Sequence, residues 1–158
     1  MAQAVKPVPI GYSTVTPTLI CKNASSALDF YKKAFGAKEI SRFTDPKGHI
    51  AHAELQIGSS RLMLSEEYPE MDARGPQSLG GTPITLMMYV EHVDELFHQA
   101  LLAGAKELRP VKDQFWGDRA GTLVDPYGHR WMVATRVEEV AGKELERRAA
   151  TAMSQAAS

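Results

Sequence analysis

The chain has 158 residues, 44% of them hydrophobic, and a formal net charge of −1. This length and composition suit one compact core, and they exclude the basic surface that tracks a nucleic-acid backbone, so DNA and RNA are not expected partners. The only cysteine, Cys21, excludes an internal disulfide. Together with the absence of an apolar stretch of membrane-spanning length, it favours a cytoplasmic protein without a membrane partner.

The first elements in chain order are a leader, a strand and a helix. Residues 1–11 contain two prolines, which disfavour a helix, and are predicted to be a flexible leader. The apolar, β-branched run from Thr16 to Cys21 predicts a strand, after which Asn23 can cap a helix. Apolar residues then recur at helical spacing up to Gly36, which is expected to end the helix.

Three predicted strands complete the first half. They span Glu39 to Phe43, His52 to Ile57 and Arg61 to Ser65, and glycine-containing turns separate them. The first half, residues 12–67, therefore has the order strand, helix and three strands. Residues 68–83 are rich in proline, glycine and polar side chains, which is typical of a surface connector.

The second half, residues 84–136, repeats this order. TLMMYVEHVDELFHQALLAGAKE follows the pattern of TPTLICKNASSALDFYKKAFGAKE, and Gly104 lies 68 residues after Gly36. The last strands, RLML from Arg61 and RWMV from Arg130, align at an offset of 69. The tail, residues 137–158, is alanine-rich and charged and is predicted to be partly helical.

Two βαβββ units in tandem resemble the vicinal oxygen chelate superfamily of glyoxalases, bleomycin resistance proteins and extradiol dioxygenases. The runs ALDFYKKAFGAKE, HAELQIG and FWGDRAGTLVDPYGHRW are similar to its PhnB-like branch. The resemblance covers residues 12–136, which are expected to form a single domain. It implies an α+β fold in which the two units form a curved mixed-sheet cup, with helices outside and a small-molecule ligand inside. It also implies a homodimer.

Alternation along the strands assigns side chains to the two faces of this cup. Ala53, Leu55 and Ile57 are apolar and are assigned to the helix side, which leaves their neighbours to line the cup. The residues assigned to the cup are His52, Glu54, Gln56, Arg61, Met63, Ser65, Arg119, Gly121, Leu123, Asp125, Arg130, Met132 and Ala134.

Metal-dependent members of the superfamily carry ligands on the first and last strand of each unit. The resemblance places these positions at Thr16, Met63, Thr85 and Met132. A thioether is a soft donor and a neutral threonine hydroxyl a weak one, so neither a metal nor another cofactor is expected. His52 and Glu54 are the nearest substitute, as an ion-binding pair or as a general base and its orienting partner. A hydrogen-bonded polar lining is the alternative.

The segment from Gln114 to Arg119 is the most distinctive in the second half. Trp116 and its aromatic neighbour could form a stacking wall at the mouth of the cup, with Arg119 as an anion contact. The alternative is a structural lid, in which Asp118 and Arg119 pair with each other or with the backbone.

Three functions remain open on the sequence. The first is metal-free binding of a small, partly apolar molecule. The second is a lyase, isomerase or dioxygenase that uses His52 and Glu54, with or without a non-standard metal. The third is an interaction module whose cup is filled by its own side chains. The predicted ligand-binding residues are Thr16, His52, Glu54, Gln56, Met63, Thr85, Trp116, Arg119 and Met132.

Overall fold

The computed structural model describes residues 4–158, which divide into two compact units. The first unit comprises the described residues up to Thr82 together with the turn Pro126–Gly128. The second comprises Pro83–Asp125 and His129–Ser158. The first three residues of the predicted leader lie outside the described part of the chain.

The first unit contains one helix between its first two strands. Its elements are β1 (Thr18–Cys21), α1 (Ala24–Phe35), β2 (Lys38–Thr44), β3 (Ile50–Ile57) and β4 (Ser60–Glu66), followed by a 3-10 turn (Pro69–Met71) and the short helix α2 (Pro76–Leu79). The strand order is β1-β4-β3-β2. β1 pairs with β4 in parallel, and the other two pairs are antiparallel.

The second unit repeats this topology. Its elements are β5 (Thr85–Tyr89), α3 (Val93–Ala103), β6 (Lys106–Asp113), β7 (Asp118–Val124), β8 (Arg130–Arg136) and α4 (Gly142–Ala156). The strand order is β5-β8-β7-β6, with β5 parallel to β8. The α+β class and the tandem βαβββ order are therefore confirmed.

Each unit packs its long helix against one side of its own sheet. α1 contacts β1, β3 and β4, and its fully buried residues include Leu28 and Tyr31. The predicted ends of α1 are confirmed, because the Asn23 side chain accepts from the Ser26 amide at 3.2 Å and Gly36 adopts a left-handed φ of 66°. α3 packs in the same way on β6, β7 and β8.

The last strand of each unit also caps the helix of that unit. The Glu66 carboxylate accepts from the amides of Asn23 at 2.8 Å and Ala24 at 2.9 Å. Thr135, 69 residues later, accepts from the Val93 amide at 3.0 Å. Amides in the first turn of a helix have no partner within it, so both side chains satisfy donors that would otherwise lack one.

Replacing Glu66 with alanine should lower the free energy of unfolding by about 1–2 kcal/mol, because two amides lose their acceptor. Urea denaturation followed by circular dichroism would measure the change. Glu70→Ala is the matched control, since Glu70 is exposed on the connector. Equal stabilities of the two variants would contradict this role for Glu66.

Candidate functional site

The side of the first sheet that faces away from α1 collects the polar side chains predicted for β3. Ala53, Leu55 and Ile57 are buried toward the helix, whereas the residues between them are half-buried on the other side. This side is called the open face of the first sheet. Its members are Thr18, Ile20, Ser41, Phe43, His52, Glu54, Gln56, Arg61, Met63 and Ser65.

Glu54 lies at the middle of this open face. Its carboxylate accepts from the Ser41 hydroxyl at 3.1 Å, and Met63 is its cross-strand partner on β4. His52 Nε2 lies 3.8 Å from Glu54 Oε1, so the predicted pair is close but outside hydrogen-bonding distance. Phe43 stacks on His52, with ring centroids 6.2 Å apart, and is 65% exposed. An ionisable pair therefore borders an exposed aromatic ring.

Two further side chains, Tyr12 and Arg61, join Glu54 on this face. The Arg61 guanidinium carbon lies 5.4 Å from the centroid of the Tyr12 ring. Burial raises the pKa of Tyr12, and the neighbouring Glu54 carboxylate raises it further. The pKa of Glu54 is lowered, first by the Tyr12 hydroxyl and then by Ser41 and His52, which together outweigh partial burial. Alternation assigns Arg61 to this face, but no spacing in the sequence points to Tyr12.

The assignment of β7 to the cup is wrong, because its side chains have the opposite orientation. A Cβ at Gly121 would lie 2.8 Å from the Phe97 ring on α3, and Leu123 is fully buried. Arg119 forms ion pairs with Asp94 of α3 at 2.7 Å and with Asp113 of β6 at 3.1 Å. Arg119, Gly121 and Leu123 therefore lie on the helix side of the second sheet.

The register of β7 explains this error. Ala53 pairs with Leu64 in the first sheet, and Gly121 pairs with Val133 in the second. Leu64 and Val133 are 69 residues apart, but Ala53 and Gly121 are only 68 apart. Because successive side chains point to opposite faces, a shift of one residue reverses the orientation of the whole strand. The assignment of Asp125 to the cup is also wrong, because Asp125 is buried and accepts at 2.9 Å from the indole of Trp131, which lies on the helix side.

Asp118 organises the distinctive segment at the start of β7. Its fully buried carboxylate accepts from the Tyr89 hydroxyl at 2.8 Å, the Trp116 indole at 2.9 Å and Arg136 Nε at 2.7 Å. Burial raises its pKa, but these three hydrogen bonds outweigh that effect and the pKa is lowered. This arrangement favours the structural lid, although Asp118 and Arg119 pair with other residues rather than with each other.

Comparison with known proteins identifies the family. The family model described as Glyoxalase/Bleomycin resistance protein/Dioxygenase superfamily matches residues 13–133. The chain belongs to this superfamily. The uncharacterized protein Mb0911c of Mycobacterium bovis is 42% identical to it over 135 residues, which are 84% of this chain and 89% of Mb0911c.

Two solved structures of other proteins have the same fold. TioX from Micromonospora sp. ML1 is 26% identical with a TM-score of 0.63, covering 79% of this chain and all of TioX (100%). The PhnB protein from Bacillus cereus is 21% identical with a TM-score of 0.62, covering 78% of this chain and 99% of PhnB. The family model therefore confirms the resemblance to the superfamily, and the likeness to PhnB shows a shared fold.

The metal positions that the glyoxalase superfamily implies do not fit a hard divalent cation. Thr16 lies before β1, and the residue opposite Met63 is Thr18. In the second unit, Met132 lies opposite Met87, whereas Thr85 lies opposite Arg130. Thioether and neutral hydroxyl groups are poor donors for such ions. Within residues 4–158, no group of three or more His, Cys, Asp or Glu side chains could hold a metal ion.

The open face of this glyoxalase-superfamily chain carries three kinds of side chain. Glu54 is an ionised acceptor, Arg61 is a cationic donor, and the exposed Phe43 and half-buried Met63 are apolar. None of these groups is a nucleophile activated by a base. The described helices include none that is long and apolar enough to cross a membrane.

Proposed function

We propose that the protein binds a small, partly apolar molecule on the open face of the first sheet, without a metal ion. The observation that carries this proposal is the ionised Glu54 carboxylate on a half-buried sheet face beside the exposed Phe43 ring. Small-molecule sites combine apolar walls with a few placed polar groups, and this face has both. Of the predicted ligand-binding residues, the proposal uses His52, Glu54, Gln56 and Met63.

The proposed site does not use four other predicted ligand-binding residues, Thr16, Thr85, Trp116 and Met132. Thr16 precedes β1, and the Trp116 indole donates to Asp118 rather than standing free for a ligand. Thr85 and Met132 lie on the second sheet and remain predictions. Arg119 is held by two carboxylates on the helix side, which argues against an anion contact there. The homodimer also remains a prediction, which light scattering would test against the 17.3 kDa chain mass.

A screen of small aromatic and aliphatic compounds by protein-observed NMR would test the proposed function. Binders should shift the NMR signals of the β3 and β4 amides. Met63→Trp fills the open face and should weaken the affinity of these binders by about tenfold or more, or about 1.4 kcal/mol. Leu102→Trp is the control, because Leu102 is 77% exposed on α3. If no compound binds this face, the proposal is overturned.

The same protein preparation tests the enzymatic alternative. Elemental analysis of the purified protein and of His52→Ala would show whether His52 and Glu54, with His52 Nε2 and Glu54 Oε1 3.8 Å apart, hold a metal. If the wild type holds a stoichiometric metal that His52→Ala loses, metal-free binding is wrong and a metal-dependent lyase, isomerase or dioxygenase is favoured. Equal, substoichiometric metal in both proteins would support metal-free binding.

A further inference from the structure

Two buried polar atoms meet on the open face without hydrogen-bond partners. Among residues 4–158, neither the Tyr12 hydroxyl nor Arg61 Nε makes a hydrogen bond of ordinary geometry. Buried polar groups are almost always hydrogen-bonded, because leaving one unpaired costs about 1–3 kcal/mol. Two such atoms on neighbouring side chains therefore mark a place where an additional polar group belongs.

The chain before β1 encloses this place. A Cβ at Gly11 would lie 2.9 Å from Arg61 Nη2, so the backbone there packs directly on the guanidinium group. The next residue, Tyr12, lays its ring over Arg61, with the guanidinium carbon 5.4 Å from the ring centroid. The segment before β1 thus brings a hydroxyl to the edge of a face that is otherwise built from strands.

The third group at this place is the Glu54 carboxylate. The nearby Tyr12 and Ser41 hydroxyls hold the pKa of Glu54 below its ordinary value of 4.5, although of these two only Ser41 donates to it with hydrogen-bond geometry. It is therefore ionised at neutral pH and can only accept hydrogen bonds. Arg61 Nε can only donate, whereas the Tyr12 hydroxyl can do either.

These three groups select a neutral ligand group that is both donor and acceptor. An anion would be attracted by Arg61 but repelled by Glu54, and a cation would be attracted by Glu54 but repelled by Arg61, so the two opposite charges favour neither ion. A hydroxyl or a primary amide can donate to Glu54 and accept from Arg61 at the same time. We propose that Tyr12, Glu54 and Arg61 form a subsite that recognises a neutral hydroxyl or amide group of the bound molecule.

This inference rests on the proposed function and adds the chemical class of the ligand. The stacked pair Phe43 and His52 lies next to Glu54, since His52 Nε2 is 3.8 Å from its carboxylate. A ligand whose polar group enters the subsite would therefore place its apolar part near an exposed aromatic ring. An ordered water is the other group that could form hydrogen bonds with the Tyr12 hydroxyl and Arg61 Nε. Binding measurements with matched probes distinguish water from a ligand.

Four probes that share one ring system test the subsite on the full chain. Naphthol, naphthoate, naphthylmethylammonium and methylnaphthalene, all substituted at the same ring position, present a neutral hydroxyl, an anion, a cation and no polar group. NMR titration should place all binders on β3 and β4, with naphthol binding about fivefold or more tightly than each of the others. One net hydrogen bond accounts for a difference of this size.

Two conservative variants test the assignment to residues. Tyr12→Phe keeps the ring over Arg61. It should weaken the affinity for naphthol about fivefold and leave the affinity for methylnaphthalene unchanged. Tyr68→Phe is the matched control, because the Tyr68 hydroxyl donates to Asp45 at the β2–β3 turn. Glu54→Gln removes the negative charge and should raise the affinity of naphthoate relative to naphthol.

Each outcome bears on one of the two proposals. If methylnaphthalene and naphthol bind the open face equally, the two atoms are satisfied by water, and the subsite is wrong while small-molecule binding stands. An equal effect of Tyr12→Phe on both probes, or a wild-type preference for naphthoate, would also overturn the subsite. If no probe binds the open face, both the subsite and the proposed function fail.

Discussion

Replacing Asp118 with alanine is expected to lower the free energy of unfolding by about 3 kcal/mol. The carboxylate is fully buried, and its removal takes the acceptor from Tyr89, Trp116 and Arg136. The Arg136 side chain is 43% exposed and can be rehydrated, so the loss should lie at the low end of the range for buried pairs. Chemical denaturation followed by tryptophan fluorescence would measure it.

Asp94→Ala is the matched control for Asp118→Ala. Asp94 also pairs with an arginine, but its side chain is 61% exposed, so its removal should have a much smaller effect. Similar losses in the two variants would show that the buried network is not what stabilises the second unit.

The pH dependence of stability gives an independent measure of the same carboxylate. The folded-state pKa of Asp118 is lower than the ordinary value of 3.8, so the unfolded chain binds the proton more readily. The stabilisation is complete above pH 3.8 and is lost as the pH falls through the lower, folded-state pKa. The stability difference between wild type and Asp118→Asn should therefore shrink on acidification.

Replacing Gly117 with alanine should cost about 3 kcal/mol of unfolding free energy, from positive-φ strain and a steric clash together. Gly117 has a φ of 99°, and an added Cβ would overlap the carbonyl oxygen of Glu138. The clash is with backbone, and the two segments are held together because the amides of Val137 and Glu138 each donate to the Gly117 carbonyl at 3.0 Å. Thermal and urea denaturation would report the loss.

Gly48→Ala separates the two contributions. Gly48 has a similar φ of 84° but nothing within 4 Å of an added Cβ, so its substitution tests strain alone. We expect a loss of about 1 kcal/mol there. If both variants lose the same stability, the close approach of Gly117 to Glu138 does not contribute.

Local rules were sufficient to predict most of the fold. Asn23 and Gly36 mark the ends of the first helix where the structure places them, because these two caps bond only to neighbouring residues. The alternation of Ala53, Leu55 and Ile57 gave the faces of β3 correctly, since one face of that strand is buried and the other is not.

The errors arose where position depends on the partner strand. The offset of the last strands assigns the β7 residues Arg119, Gly121 and Leu123 to the cup, although β7 follows an offset of 68. The first strand begins at Thr18 rather than Thr16, because its pairing with Met63 fixes its start. Register is a property of two segments, so one segment alone cannot reveal it.

The candidate site was predictable only in part for a similar reason. His52 and Glu54 share one strand face, and the structure brings them together. Tyr12 reaches the same face from a segment without regular structure, and its position depends on packing against Arg61. The network around Asp118 likewise joins residues from β5, β7 and β8 that no linear motif connects.

The two offsets have a practical consequence for protein engineering. A designer who wished to transplant the Glu54 carboxylate into the second unit would have to install it at Thr122, because Glu54 pairs with Met63 and Thr122 pairs with Met132. The same graft at Leu123, which the longer offset selects, would bury a charge under α3. A length difference of one residue thus prevents the duplicated halves from being exchanged position by position.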